Sequence, residues 1–176
     1  KHCKDADIIH HLAGITDVPR VKSESNEDNN AKIKLVAEEG TQNIINAISD
    51  KCKIIMPSTH VVFEGIDKIK KNILEDEKTC PVLSYGKSKD FNEKQLKESG
   101  KNFIILRLGS VYGYSTDTAR IDIMANFFSK MASQDRTLRL FGGGRQLKSL
   151  VPIIDVARCF KFMEERDDLS SDIFNL

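Results

Sequence analysis

Three short segments of this chain are almost wholly apolar, and they limit its fold more than any other feature. They lie in ADIIHHLAG, CKIIMPS and NFIILRLGSVYG. A strand with one wet face alternates apolar and polar residues, whereas a strand covered on both faces is apolar throughout. The three segments therefore predict buried strands, and the third in particular indicates a parallel sheet covered on both faces.

Segments with helical character separate these strands. Apolar residues recur at helical spacing from Ala31 to Ser49, although Gly40 lies in the interior. The segment SYGKSKDFNEKQLKESG favours helix and has a natural stop at Gly100. Beyond it we expect a helix near Ile121 to Ala132, a strand in TLRLF, a helix in VARCFKFMEE capped by Asp155, and a strand in DIFNL. This alternation predicts an α/β fold with right-handed crossovers.

The composition narrows the class of protein. The chain has 176 residues, 40% of them hydrophobic, and a formal net charge of +1. Such a chain can build one globular core, and its balanced charge argues against nucleic acid or a membrane as a partner. The four cysteines are far apart without a C-x-x-C pair, so we expect no disulfide framework, no metal site and a reduced cytoplasmic setting.

The residues that follow each predicted strand are candidates for function. Ligands of open α/β sheets bind beyond the carboxyl ends of the strands. A tyrosine and a lysine, Tyr85 and Lys89, lie four residues apart just before the third strand, so on a helix they share one face. The alternative without function is that both side chains lie on a solvated edge of the helix. The strand ends themselves hold Leu12-Ala13-Gly14, Ser58-Thr59 and Gly109-Ser110-Val111.

Six blocks of the sequence resemble one known family. DIIHHLAG, GTQNIINA, PSTHVVFEG, YGKSK, LRLGSVYG and GGGRQLKSLVPIIDVA have the order and spacing of the extended short-chain dehydrogenase/reductases, the NAD-dependent nucleotide-sugar epimerase and dehydratase family. The resemblance implies an incomplete, doubly wound, Rossmann-like parallel sheet with part of a small substrate lobe. We expect residues 1–115 in the Rossmann-like domain, 116–150 in the lobe, and 151–176 returning to the first domain.

The resemblance also implies the role of each candidate. Tyr85 would be the acid/base that exchanges a proton with a sugar hydroxyl, and Lys89 would lower the pKa of Tyr85 and hold the nicotinamide ribose. Thr59 would hydrogen-bond the reacting oxygen. A phenol with its ordinary pKa of about 10 is a poor base at neutral pH, so a nearby cation makes chemical sense. The expected cofactor is NAD or NADP, bound by Leu12, Ala13, Gly14, Tyr85, Lys89, Ser110 and Val111.

On the substrate side, the resemblance implies a nucleotide sugar. Lys148 stands where many such enzymes place an arginine on the diphosphate, and Arg145 is nearby. Lysine keeps the charge but loses the bidentate fork of arginine. His60 follows Thr59 and is a further candidate for substrate contact.

The expected function is an NAD(P)-dependent epimerase that acts on a nucleotide sugar by Tyr-assisted hydride transfer. Three alternatives stay open: a reductase of a keto-sugar, a reductase of another carbonyl, and a non-catalytic sensing or scaffold relative. Thr59-His60-Val61 replaces the Thr-Asp-Glu of the dehydratases, which argues against dehydration. The sequence leaves a homodimer open.

One element of the family is missing from the sequence. The glycine-rich turn that binds pyrophosphate at a helix N-terminus does not occur, and Gly142-Gly143-Gly144 is interpreted as a turn. We therefore expect a fragment that is inactive alone, with the missing turn before Lys1. His10 and His11 are interpreted as one exposed and one core residue rather than metal ligands, and DKIKKN as solvated surface.

Overall fold

The structure is a computed structural model that describes residues 3–16, 26–115 and 120–176. These residues form six strands, four α-helices and two short 3-10 helices. The strands are β1 (Ile8–His10), β2 (Lys53–Thr59), β3 (Asn102–Leu108), β4 (Ser110–Tyr112), β5 (Leu150–Pro152) and β6 (Asp172–Asn175). The helices are α1 (Glu27–Ala47), α2 (Ser84–Glu98), α3 (Met124–Ser133) and α4 (Ile153–Glu164), and the 3-10 helices are His60–Phe63 and Phe141–Gly144.

Four strands form one parallel sheet in the order β1-β2-β3-β6. His10 pairs with Ile55, and Thr59 pairs with Leu108. Strands β4 and β5 form a separate parallel pair. The prediction of a parallel α/β sheet is confirmed, while the division of the chain into a domain and a lobe stays a prediction.

Helices cover both faces of the sheet. Residues that alternate along β2 and β3 point to opposite sides: Ile54 and Ile105 pack against α1 and α2, whereas Ile55 and Ile104 pack against α4. All four of these side chains are fully buried. Burial on both faces explains the continuous apolarity of the strands and confirms the doubly wound architecture.

The crossovers do not all have one hand. Each step along the chain from β1 to β2, β3 and β6 moves in the same direction across the sheet. Helices α1 and α2 lie on one face, but α4 lies on the other. The connection from β3 to β6 therefore has the opposite hand to the first two, so the prediction of right-handed crossovers throughout is wrong. This connection also contains β4, α3 and β5, so local strand twist does not fix its path.

The predicted third strand breaks at Gly109. Strand β3 ends at Leu108 and β4 begins at Ser110. A Cβ atom at Gly109 would lie 2.8 Å from Ser149 Oγ and 3.0 Å from its carbonyl oxygen. The close approach of the chain at Ser149 therefore requires glycine here, and it turns the chain from the main sheet toward the β4–β5 pair.

Three local expectations need correction. Helix α1 begins four residues earlier than predicted, because Asn26 caps it by accepting from the backbone N–H of Asp28 at 2.8 Å. The strand predicted in TLRLF does not form: residues 137–140 are exposed and pair with no described strand. Asp155 is not the N-cap of α4, since Pro152 occupies that position and Asp155 lies in the first turn.

One histidine is buried between β1 and α1. His11 is only 6% exposed, and its Nε2 is hydrogen-bonded to Thr41 Oγ1 at 2.9 Å. Its Nδ1 has no hydrogen-bond partner among the residues the structure describes. Burial, together with the charge of Lys89, lowers the pKa of His11 to about 4. His10 is exposed, so the interpretation of one core and one exposed histidine is confirmed.

Among the described helices, none has the length and apolarity needed to cross a bilayer.

Replacing Gly40 by Ala is expected to stabilise the protein. Gly40 lies inside α1, and an added Cβ would meet no atom within 4 Å. Alanine removes conformational freedom from the unfolded chain, so the free energy of unfolding should rise by about 0.5–1 kcal/mol. Urea unfolding measures the difference. Gly100→Ala is the matched control and should destabilise, because Gly100 has a φ of +70°. Equal effects of both variants would contradict the prediction.

Acid should destabilise the fold through His11. Between its ordinary pKa of 6.5 and the folded value of about 4, the unfolded chain binds a proton that the folded chain does not. Stability therefore falls as the pH drops through this window, by at most about 1.4 kcal/mol per pH unit for one proton. Urea unfolding of His11→Gln at pH 7, 5 and 4 should show a shallower decline than the native chain. A native slope in His11→Gln would contradict the prediction.

Candidate active site at the end of strand β2

The carboxyl end of β2 presents a threonine that the backbone holds in place. Thr59 is the last residue of β2 and caps the 3-10 helix His60–Phe63. Its Oγ1 accepts from the backbone N–H of Val61 at 3.2 Å. The hydroxyl therefore has one fixed partner and can still donate its own proton.

Helix α2 brings the tyrosine and the lysine to this threonine. The Tyr85 phenol lies close enough to the Thr59 hydroxyl for that hydroxyl to lower the pKa of Tyr85. Lys89 lies one turn further along α2, and its Nζ donates to the carbonyl oxygen of Pro57 in β2 at 2.8 Å. The three side chains predicted to be catalytic therefore meet at one strand end.

The start of α2 is fixed from outside the helix. Its N-cap residue Leu83 offers no capping side chain, and the carboxylate of Glu64 instead accepts from the backbone N–H groups of Leu83 and Val82, the latter at 2.7 Å. A Cβ at Gly86 would lie 3.1 Å from the carbonyl oxygen of Val61. The glycine beside Tyr85 thus allows α2 to pack closely on the turn that follows Thr59.

Burial changes the pKa values of both Lys89 and Tyr85. It lowers the pKa of Lys89 to about 8, against an opposing effect of Glu93. Burial also raises the pKa of Tyr85, while the charge of Arg120 and the nearby Thr59 hydroxyl lower it. At neutral pH the phenol is protonated and the ammonium is charged by a narrow margin.

An ion pair that sequence reasoning missed lies under this site. Arg107 of β3 and Glu93 of α2 are both buried, and Arg107 Nη2 donates to Glu93 Oε2 at 2.7 Å. Ser58 Oγ donates to Glu93 Oε1 at 2.5 Å. The signal in the sequence was an arginine inside the apolar run IILRL and a glutamate four residues after Lys89.

The predicted cofactor residues lie at the same edge of the sheet. Leu12, Ala13 and Gly14 follow β1 and are exposed, with the buried His11 directly before them and near enough to Lys89 to feel its charge. Ser110 and Val111 are partly buried in β4, which begins two residues after the end of β3. Strand order places both segments beside the end of β2.

The predicted substrate residues lie in two places. His60 adjoins Thr59, and its Nδ1 is hydrogen-bonded to the carbonyl oxygen of Leu108 at 3.1 Å. Arg145 and Lys148 line a separate groove of about 480 Å³ together with Phe63, Ile66, Lys68, Ile69, Lys70, Ile73, Gly142, Gln146 and Leu147. This lining includes none of the three side chains that meet at the strand end.

The groove is rich in positive charge. Lys70 pairs with Glu77 across the surface, whereas Lys68, Arg145 and Lys148 form no ion pair among the described residues. The segment DKIKKN, predicted as plain solvated surface, thus contributes Lys68 and Lys70 to a basic groove. Within residues 3–16, 26–115 and 120–176, no cluster of His, Cys, Asp and Glu is arranged to hold a metal ion.

Solved structures of proteins in complex with NAD or UDP-glucose share this fold. UDP-glucuronic acid 4-epimerase from Bacillus cereus in complex with NAD matches 98% of this chain at 25% identity and a TM-score of 0.78. UDP-glucose 4-epimerase from Thermotoga maritima with UDP-glucose matches 97% at 22% identity and a TM-score of 0.76. MoeE5 in complex with UDP-glucose and NAD matches 98% at 20% identity and a TM-score of 0.78.

This chain spans about half the length of these structures, 53%, 55% and 57% respectively. The comparison with curated protein sequences gave no significant match. The family model described as the RmlD substrate binding domain matches residues 2–142, which is most of the chain. The chain therefore belongs to the RmlD substrate binding domain family, within the extended short-chain dehydrogenase/reductases.

Proposed function

We propose that this chain forms part of an NAD(P)-dependent epimerase that acts on a nucleotide sugar. The observation that carries the proposal is the convergence of Thr59, Tyr85 and Lys89 at the carboxyl end of β2. Three structural relatives are sugar-nucleotide proteins in complex with NAD, UDP-glucose or both, which supports the same ligands here.

The residues at the sheet edge fit a dinucleotide. Lys89 uses one N–H for Pro57 and retains two more donors for ligand hydroxyl groups. The exposed segment Leu12–Gly14 ends in small residues, and a Cβ at Gly14 would meet no atom within 4 Å, so a ligand can approach the backbone there. When bound, NAD(P) would accept or supply the hydride.

In this proposal each side chain has a distinct task. Tyr85 gives or takes a proton at its phenol oxygen, while Thr59 hydrogen-bonds the same substrate oxygen and holds it within reach. Lys89 favours the phenolate electrostatically when Tyr85 must act as a base. Leu12, Ala13, Gly14, Ser110 and Val111 would contact the cofactor.

A second candidate is an NAD(P)H-dependent reductase of a keto-sugar. Burial raises the pKa of Tyr85, so the phenol keeps its proton at neutral pH and is present in the form that can donate to a carbonyl oxygen. A protonated phenol suits the reductive direction, in which the carbonyl carbon gains a hydride and its oxygen takes the phenol proton. Product analysis separates the candidates, because only the reductase consumes the reduced cofactor.

The basic groove is proposed to bind the substrate diphosphate. Arg145 and Lys148 come from one segment of the chain and Lys68 from another, so an anion in the groove would meet cations from two segments. His60, next to Thr59, is proposed to contact the sugar. A homodimer and a cytoplasmic setting stay predictions.

Replacing Tyr85 by Phe should remove the proton donor and leave the fold intact. The assay is turnover of the full-length protein with a panel of UDP-sugars and NAD(P). We expect kcat to fall on the order of 10²–10⁴-fold, which is typical for loss of a general acid or base. Tyr114→Phe is the control, because Tyr114 is 86% exposed. Unchanged turnover of Tyr85→Phe would remove Tyr85 from the mechanism.

Replacing Lys148 by Ala should weaken binding of a nucleoside diphosphate. Titration of the full-length protein with UDP by calorimetry measures the effect, and we expect roughly a tenfold rise in Kd for loss of one charge-assisted contact. Lys148→Arg should bind at least as tightly, because arginine restores a bidentate fork. Lys161→Ala on α4 controls for net charge. Equal affinity of Lys148→Ala and the native protein would place the diphosphate elsewhere.

A further inference from the structure

A charged pair is buried between α2 and the sheet, directly below the proposed site. The side chains of Arg107 and Glu93 are 3% and 2% exposed. Arg107 donates through two nitrogens, Nη2 to Glu93 Oε2 at 2.7 Å and Nε to Glu93 Oε1 at 3.0 Å. Removal of two charges from water is costly, and apolar side chains could hold the same surfaces together. The pair therefore calls for an explanation beyond packing.

The pair joins the segments that form the site. Ser58, which immediately precedes Thr59, donates its hydroxyl proton to Glu93 at 2.5 Å. The guanidinium of Arg107 lies 5.0 Å from the ring centre of Phe63, the last residue of the turn that Thr59 caps. Arg107 Nη1 also donates to the carbonyl oxygen of Glu75 at 2.9 Å.

Glu93 and Lys89 bond neighbouring residues of β2, because Glu93 accepts from Ser58 and Lys89 donates to the carbonyl oxygen of Pro57. Glu93 follows Lys89 by four residues on α2, as Lys89 follows Tyr85, so the three side chains lie on one face of the helix. The groups around Lys89 are His11 at the end of β1, the Pro57 carbonyl of β2, and Tyr85 and Glu93 of its own helix. Of these, only Glu93 carries a negative charge at neutral pH.

We propose that Glu93 is a positioning residue for the site: its carboxylate keeps the buried ammonium of Lys89 protonated and fixes Thr59 through Ser58. The inference rests on the proposed function of Thr59, Tyr85 and Lys89. Glu93 raises the pKa of Lys89 against the effect of burial, which agrees with this role. Without that charge, Lys89 would lose its proton near neutral pH and could no longer favour a phenolate at Tyr85.

The test measures the titration of Lys89 directly. Lysine side chains of the full-length protein are labelled with 15N and followed by NMR from pH 6 to 11, and the Lys89 signal is assigned by its loss in Lys89→Arg. Glu93→Gln should lower the proton affinity of Lys89 on the order of tenfold, as expected for loss of one partly screened charge. An unchanged midpoint in a folded Glu93→Gln protein would overturn the proposal.

The control is a second carboxylate on the same helix. Asp90 is also buried, but its carboxylate accepts from Thr79 Oγ1 at 2.5 Å and from Lys94 Nζ at 2.6 Å, whereas that of Glu93 accepts from Ser58 of β2. Asp90→Asn should leave the Lys89 midpoint at its native value. A shift equal to that of Glu93→Gln would mean that any lost charge on α2 has this effect, and would overturn the specific role of Glu93.

A second variant covers the case in which Glu93→Gln leaves Arg107 unpaired and does not fold. Glu93→Gln combined with Arg107→Met leaves no buried charge without a partner. Its Lys89 midpoint should lie below that of Arg107→Met alone, since the two variants differ only in the charge of Glu93, and equal midpoints would overturn the proposal. The titration needs no substrate, so its outcome is independent of whether the protein turns over a nucleotide sugar.

Discussion

Burial of the sheet on both faces is the constraint on which the rest of this structure depends. Ile54, Ile55, Ile104 and Ile105 are fully buried, so the middle of each strand has no room for chemistry. Parallel strands all end at the same edge, and the chain can present polar groups together only there. Thr59, the Pro57 carbonyl and the segment after β1 are therefore neighbours because of the sheet, although they are distant in sequence.

The same burial strengthens the electrostatic interactions between charged groups near this edge of the sheet. In water a lysine and a glutamate one helical turn apart interact weakly, whereas in a poorly hydrated site the interaction changes protonation. Burial lowers the pKa values of both His11 and Lys89, and it raises that of Tyr85. The buried Glu93 carboxylate opposes the loss of the proton from Lys89. The site thus combines apolar surroundings, which disfavour charge, with one buried carboxylate that bonds Arg107 and opposes the loss of the proton from Lys89.

Much of the main sheet was predictable from the sequence, because strands covered on both faces have a distinctive composition. β2, β3 and β6 lie where the apolar runs predicted them, and Tyr85 and Lys89 share a helix face as their spacing indicated. The predictions failed where the local sequence pattern of a segment does not determine which other segment it pairs with or packs against. TLRLF has the alternation of a strand but pairs with no described strand, and the hand of the β3–β6 connection depends on the face that α4 covers.

The sequence by itself determined the four strands of the main sheet and the helices between them, and it determined that a tyrosine and a lysine share one helix face, because periodicity and spacing are local properties. Tertiary structure alone decided that this face meets Thr59, that His11 is buried beside Lys89, and that Arg107 of β3 pairs with Glu93 of α2. It also decided that Arg145 and Lys148 lie in a groove of their own. These relations join residues distant in the chain, and their strength depends on the exclusion of water, which no local pattern encodes.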